Sequence, residues 1–228
     1  MIALLILTVL STEPGLSPEA LERRGRLWEA GAKYEEAGRT EDEARIMGRL
    51  LEEALYAGHP NRSFWLIEEM LIMGVNSSMT DFWNGRLAWV CGLREHACEL
   101  LLEVEGSAWL THRARGLSHL YRGESERAVE HFRASYASAS TTRRRFYSAL
   151  DLGFALLTDG RAGEGLAVAS FLRNRFPTEG LPVILEGLCL QSLGEFSMAM
   201  STLEEAKERE RYGAGPADMA AELLEELE

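Results

Sequence analysis

LEGLCLQSLGEFSMAM, residues 185–200, places two glycines, Gly187 and Gly194, seven positions apart among strong helix formers. A glycine inside a helix costs about 1 kcal/mol against alanine, so the pair needs a structural reason. The same gap returns at Gly31/Gly38, Gly85/Gly92, Gly116/Gly123 and Gly153/Gly160. Five residues beyond the second glycine stands a small residue in four of the five cases: Ala97, Ala128, Gly165 and Ala199. Nine beyond it the residue is apolar in all five: Met47, Leu101, Phe132, Ala169 and Leu203. One steric reading covers the pattern. The first glycine lies where a second helix crosses closely, and the second ends its helix with a positive φ. The small residue then lets the returning helix nest against the first glycine.

Around these pairs the chain reads as helix throughout. Apolar residues recur at three and four, β-branched alternation is nearly absent, and there are only six prolines. Ser17-Pro18 and Pro216 mark helix starts, and Thr40–Glu43 has the spacing of a capping box. Stops fall at Gly38, Gly58, Gly74, Gly92, Gly123, Gly160 and Gly194. About twelve helices are expected, over 17–37, 41–57, 61–73, 78–91, 94–105, 108–122, 125–139, 142–159, 162–175, 181–193, 196–211 and 216–227. Such short links make neighbouring helices antiparallel.

At these residues the sequence resembles the tetratricopeptide repeat family. Segment 146–177 carries the match in Gly153, Leu156, Gly160, Gly165, Leu172 and Pro177. Segment 109–136 carries it in Gly116, Gly123, Ala128 and Phe132, and segment 180–207 in Gly187, Leu190, Gly194, Ala199, Leu203 and Ala206. Nearer the N-terminus Gly31, Tyr34 and Gly38 fit, but Glu43 stands where a small residue belongs, and residues 59–77 read as an extra helix. The resemblance implies an all-α, right-handed α-solenoid of antiparallel helix hairpins over residues 17–212, with a concave groove that holds peptides or protein segments. Residues 213–228 are expected to cap the stack. Residues 1–16 form an apolar segment, either a buried element or the stub of a preceding module.

In repeats of this kind the groove is lined at fixed offsets from the packing glycine. The resemblance assigns that lining to Met79, Phe82, Arg86 and Trp89, to Leu110, Arg113, Leu117 and Leu120, and to Tyr147, Leu150, Phe154 and Leu157. The family's Lys, Asn and Arg clamp for acidic C-terminal peptides is missing there. Two outcomes are open. The lining receives an amphipathic helix or apolar peptide, with Phe82, Trp89, Tyr147 and Phe154 as anchors and Arg86 and Arg113 pairing an acidic group. Alternatively the stack curls tightly, or forms a homodimer, and the same side chains are core.

Composition narrows the function classes. The formal charge is −12, which repels a phosphate backbone and argues against direct nucleic-acid binding. Cys91, Cys98 and Cys189 are an odd number in apolar helical contexts, as expected of buried thiols in a reducing cytoplasm. The run MIALLILTVLS at the N-terminus is too short to span a bilayer and lacks a basic flank, so neither membrane anchor nor secretory signal is expected. Arginines outnumber lysines 22 to two, which fits a thermophile or a GC-rich genome.

Candidates for chemistry are thin. No phosphate-cradling G-x-x-x-x-G-K-[ST] loop occurs. Cys91, His96 and Cys98 have metal-ligand residue types, but the break at Gly92 separates them. His112 and His119 stand two helical turns apart, about 10 Å, too far to share one ion directly, with His131 on the next helix. Arg143, Arg144 and Arg145 open a helix against its dipole, which calls for acidic neighbours on an adjacent hairpin. No catalytic residue, metal or cofactor is expected. The reading is a cytoplasmic, non-catalytic scaffold for a protein or peptide partner. The alternative is a sensor or signalling domain of a bacterial multidomain transcription regulator, since the chain resembles the helical-repeat portions of such activators and the stretch 3–21 loosely resembles the end of a winged-helix module preceding them.

Overall fold

The structure, a computed structural model, describes residues 16–209, 216–225 and 227. The apolar run 1–11, with the readings placed on it, lies outside the described residues. The described residues form thirteen helices and no strand. In chain order they are α1 (Pro18–Arg23), α2 (Leu27–Glu36), α3 (Thr40–Tyr56), α4 (Pro60–Ile72), α5 (Ser77–Val90), α6 (Arg94–Glu103), α7 (Ala108–Tyr121), α8 (Ser125–Ser138), α9 (Thr142–Thr158), α10 (Ala162–Arg175), α11 (Leu181–Ser192), α12 (Phe196–Arg209) and α13 (Pro216–Glu225).

All seven glycines expected to stop helices have positive φ, between 66° and 81°. Six of the seven turns share one hydrogen-bond pattern, and the turn at Gly58 keeps its second bond, His59 N–H to Ala54 O at 2.9 Å. After α7, Gly123 N–H donates to Leu120 O at 3.0 Å and Glu124 N–H to His119 O at 2.9 Å; after α11, Gly194 and Glu195 bond Gln191 and Leu190 alike. This is the Schellman closure, which satisfies the orphan carbonyls of a helix end. The helix expected over 17–37 is instead two, because Gly25 also has positive φ, 75°, and ends α1. Ser17 caps α1 through its side chain, accepting from Ala20 N–H at 3.3 Å. The capping box expected at Thr40–Glu43 is not formed: Arg39 is the cap residue and Thr40 is already helical.

The packing glycines behave as expected in one respect and differently in another. A β-carbon added at Gly116 would lie 2.6 Å from Phe132, at Gly187 2.7 Å from Leu203, and at Gly85 2.8 Å from Leu101. The notch is therefore filled by the large residue nine positions beyond the turn glycine, not by the small one five beyond it. Ala97, Ala128 and Ala199 are nonetheless fully buried. The α9–α10 hairpin is the exception. There a β-carbon on Gly165 would come 3.2 Å from the backbone oxygen of Gly153, and Leu185 of α11 fills the Gly153 notch. At Gly31 an added β-carbon would find only ordinary contact, 3.5 Å from Ile46, so the N-terminal hairpin is not notched.

Each helix packs on its sequence neighbour, and the odd-numbered helices from α3 to α13 also approach one another in succession. The even-numbered helices stand farther apart, so the odd layer is the inner side of a curved stack. Apolar clusters run along it with overlapping membership: one from Leu21 to Leu156, one from Phe146 to Cys189, and one joining Val183, Ile184, Ala206 and Ala220. This is the quasi-one-dimensional core of a helical-repeat protein.

Candidate functional site on the inner face

Helices α3, α5, α7 and α9 turn polar side chains toward a common interior. Glu52 of α3 accepts from both terminal nitrogens of Arg113 on α7, each at 2.8 Å. It also accepts from Arg86 on α5 and from Trp83 Nε1 at 3.3 Å. Arg113 directs its Nε to Asp151 of α9 at 2.6 Å, and Asp151 accepts in addition from the Tyr56 hydroxyl of α3. The Phe82 and Tyr147 rings face the Arg113 guanidinium at 4.8 and 5.0 Å. Arg113 has 0% of its surface exposed. Two cations and two carboxylates thus neutralise each other out of water, where an unpaired charge would be very costly. Burial pushes the Glu52 carboxyl up, but Arg113 and Arg86 outweigh it and hold its pKa at about 2.

A second set closes the interior beside it. Arg49 of α3 bonds Glu179, between α10 and α11, at 2.8 Å, and Glu22 of α1 at 3.0 Å. Arg143 of α9 bonds the same Glu179 oxygen at 2.8 Å. The acidic neighbour that the arginine run calls for is thus present for Arg143. Next to it, burial and the nearby Glu179 push the Glu53 carboxyl up to about 7.

These contacts decide where the expected groove residues stand. Phe82, Arg86, Arg113, Leu117 and Tyr147 are buried, as are Leu110 and Leu150. The acid expected to meet Arg86 and Arg113 comes from the same chain, Glu52, because the stack curls until α3 faces α7 and α9. Tight curling accounts for these residues. Trp89, Leu120, Phe154 and Leu157 are different: each keeps partial exposure. All four lie in the C-terminal halves of α5, α7 and α9 and share one edge of the inner layer. Along that edge Phe154 stacks on Tyr56 at 5.9 Å, and the Arg86 guanidinium lies 4.4 Å from the Tyr56 ring centre. Beside them the Tyr121 ring stacks face to face on Trp89 at 3.9 Å and 6°.

Glu52, Tyr56, Tyr121 and Asp151 are site residues that the glycine offsets do not reach. One signal for Glu52 and Glu53 was available: they are two adjacent acids inside the apolar run Leu50–Leu55. The Cys91, His96 and Cys98 set does not converge. Cys91 is exposed, Cys98 is buried with its thiol 3.8 Å from Ser118 O, and His96 points to solvent. Among the described residues no group of three or more His, Cys, Asp or Glu is arranged to hold a metal ion.

Hairpins α5–α6, α7–α8 and α11–α12 repeat one unit: a notched inner helix, a positive-φ glycine turn, and an outer helix whose large side chain fills the notch. In build, the chain is an all-α helical-repeat protein. No protein-family model matches the sequence, and no curated protein matches it. Among solved structures, MamA protein is similar with TM-score 0.44 and 16% identity over 76% of this chain and 93% of that one. TPR-like repeats from Podosopora anserina give TM-score 0.45 and 16% identity over 85% and 96%. The TPR2AB domain of yeast Sti1, solved in complex with pHSP90, gives 0.44 and 14% over 92% and 81%. No helix among the described residues of this repeat protein is long and apolar enough to cross a membrane.

Proposed function

We propose that the protein is a non-catalytic interaction scaffold that takes an apolar peptide or amphipathic helix of a protein partner along the inner edge formed by Trp89, Leu120, Phe154 and Leu157. The observation that carries this reading is the contrast within the inner face. Its buried residues are already matched by partners in the chain, whereas the four side chains of this edge are each only partly buried. Tyr56 and Tyr121 extend the edge and hold Phe154 and Trp89 in fixed orientation by stacking. Rigid aromatic anchors of this kind dominate binding energy at small interfaces. Chemistry at the same place is poorly served. Glu52 and Asp151, the carboxylates nearest the edge, have their lone pairs committed to Arg86, Arg113 and Tyr56. The net charge of −12 favours partners with basic flanks around the apolar contact.

The sensor-domain alternative rests on the likeness of these repeats to the helical-repeat portions of bacterial multidomain activators and on the stretch 3–21, of which residues 3–15 lie outside the described residues. The scaffold reading is tested by panning a phage library of helical peptides on the full chain and on Trp89→Ala/Phe154→Ala. Selected peptides are expected to lose about tenfold or more in affinity for the variant, about 1.4 kcal/mol, while its helix content is unchanged. Peptides that bind both proteins equally would place recognition elsewhere.

A further inference from the structure

The turn between α11 and α12 is built from different residues than its equivalents. At α7–α8 the places one before and two, four and six after the turn glycine hold Arg122, Ser125, Arg127 and Val129. At α9–α10 they hold Asp159, Ala162, Glu164 and Leu166. At α11–α12 the same places hold Leu193, Phe196, Met198 and Met200, all large and apolar, with exposures of 47%, 57%, 57% and 36%.

Two contacts show what this face of an outer helix meets elsewhere in the stack. The Cys98 thiol of α6 lies 3.8 Å from Ser118 O of α7, and the Ser125 hydroxyl of α8 donates to Asp159, at the end of α9, at 2.8 Å. In both cases the neighbour is the inner helix of the following hairpin. Cys98 and Val129, the equivalents of Met200, are accordingly buried. After α12 the next helix is α13, whose Met219 and Ala220 cluster with Ala206, Val183 and Ile184. Neither Phe196 nor Met200 joins that cluster. Among the described residues, the N-terminal part of α12 thus shows the face that an inner helix covers in the earlier hairpins.

We propose that Phe196 and Met200, bordered by Leu193 and Met198, dock an amphipathic helix of a partner protein whose apolar stripe is flanked by lysine or arginine. The occupant lies on α12 as each inner helix lies on the outer helix before it, and it continues the α12–α13 interface. This surface belongs to an outer helix, not to the inner helices that carry Trp89 and Phe154. Charge selects the flanks. Residues 193–206 include Glu195, Glu204 and Glu205 and no basic residue. Arg173 bonds Glu205, whereas Glu195 and Glu204 are exposed. A second copy of the chain would bring the same acids and a net charge of −12 against them, which opposes self-pairing. Phenylalanine and methionine are enriched where proteins dock, and the flexible methionines fit their surface to the incoming helix.

The test is NMR of the full chain with carbon-13-labelled methionine methyl groups. The probes are a helical peptide of leucine, alanine and lysine, with its leucines on one face, and a scrambled peptide of the same composition. The Met198 and Met200 signals are expected to shift saturably with the first peptide and not with the second. Leu193→Gln/Phe196→Ser should weaken binding about tenfold or more. Both side chains are exposed, and serine already stands at the equivalent place in α8, so melting curves of parent and variant should coincide. Trp89→Ala/Phe154→Ala should keep the Met198 and Met200 shifts, which separates failure of this surface from failure of the inner edge. Equal affinity of parent and Leu193→Gln/Phe196→Ser would overturn the proposal, as would shifts confined to other methionines or no shift at about 1 mM peptide. A parent dimer in sedimentation velocity that this variant abolishes would assign the surface to a second copy and overturn it too.

Discussion

Phe132 of α8 occupies the space that a side chain on Gly116 of α7 would need, with its ring 2.6 Å from the position of the missing β-carbon. Alanine at position 116 gains about 1 kcal/mol in helix propensity. It must also displace a fully buried aromatic ring, and overpacking of that kind costs about 1–3 kcal/mol. Gly116→Ala is therefore expected to be destabilising on balance in urea denaturation. Adding Phe132→Leu to the Gly116→Ala protein should recover part of the loss. A single variant as stable as the parent would mean that the notch is not what holds α7 and α8 together.

Glu53 gives the protein a pH dependence of definite sign. Its pKa is raised from 4.5 to about 7 by burial and by Glu179. Between those two values the folded chain holds a proton that the unfolded chain releases. The contribution is fully present below pH 4.5 and is lost as pH rises through 7. Glu53→Gln keeps the neutral form at every pH. Parent and variant should thus diverge between about pH 4.5 and pH 7 and run parallel above that, with the parent losing at most about 3 kcal/mol relative to Glu53→Gln. Stability profiles parallel throughout would show that Glu53 is ionised in the folded state without penalty.

The fold was legible in the sequence because its punctuation is steric. A glycine at positive φ and a glycine under a crossing helix leave gaps that no other residue type fills as cheaply, and both recur at fixed spacing. What escaped was Gly25, which lies inside the run 17–37 read as one helix, and the identity of the notch filler. The inner face was only half legible. Offsets from a packing glycine locate side chains on one helix, but not the distance to the helix opposite. That distance depends on how far the stack curls, and the curling brings Glu52 and Tyr56 of α3 to Arg113 and Asp151. Sequence spacing carries no trace of contacts 61 and 95 residues apart.

The three thiols should separate cleanly in a labelling experiment. Cys91 is exposed at the end of α5, whereas Cys98 and Cys189 are buried. Burial also raises the Cys189 thiol to about 11, which leaves little of the reactive thiolate near neutral pH. Iodoacetamide at pH 8 is expected to modify Cys91 alone in the folded protein and all three after unfolding, as read by intact mass. Rapid labelling of Cys189 in the folded chain would show that α10 and α11 part more readily than their packing implies.

The closure of the inner face rests on the pairing of Glu52 with Arg113, and a double-mutant cycle measures it directly. Glu52→Gln, Arg113→Met and the combined variant are compared with the parent by chemical denaturation. Removing one member of a buried pair costs about 3–5 kcal/mol because the other is left uncompensated. The two substitutions should therefore be strongly non-additive, with a coupling of about 2 kcal/mol or more. A coupling below about 0.5 kcal/mol, the range of solvent-exposed pairs, would mean that water reaches these residues and that the inner face is open.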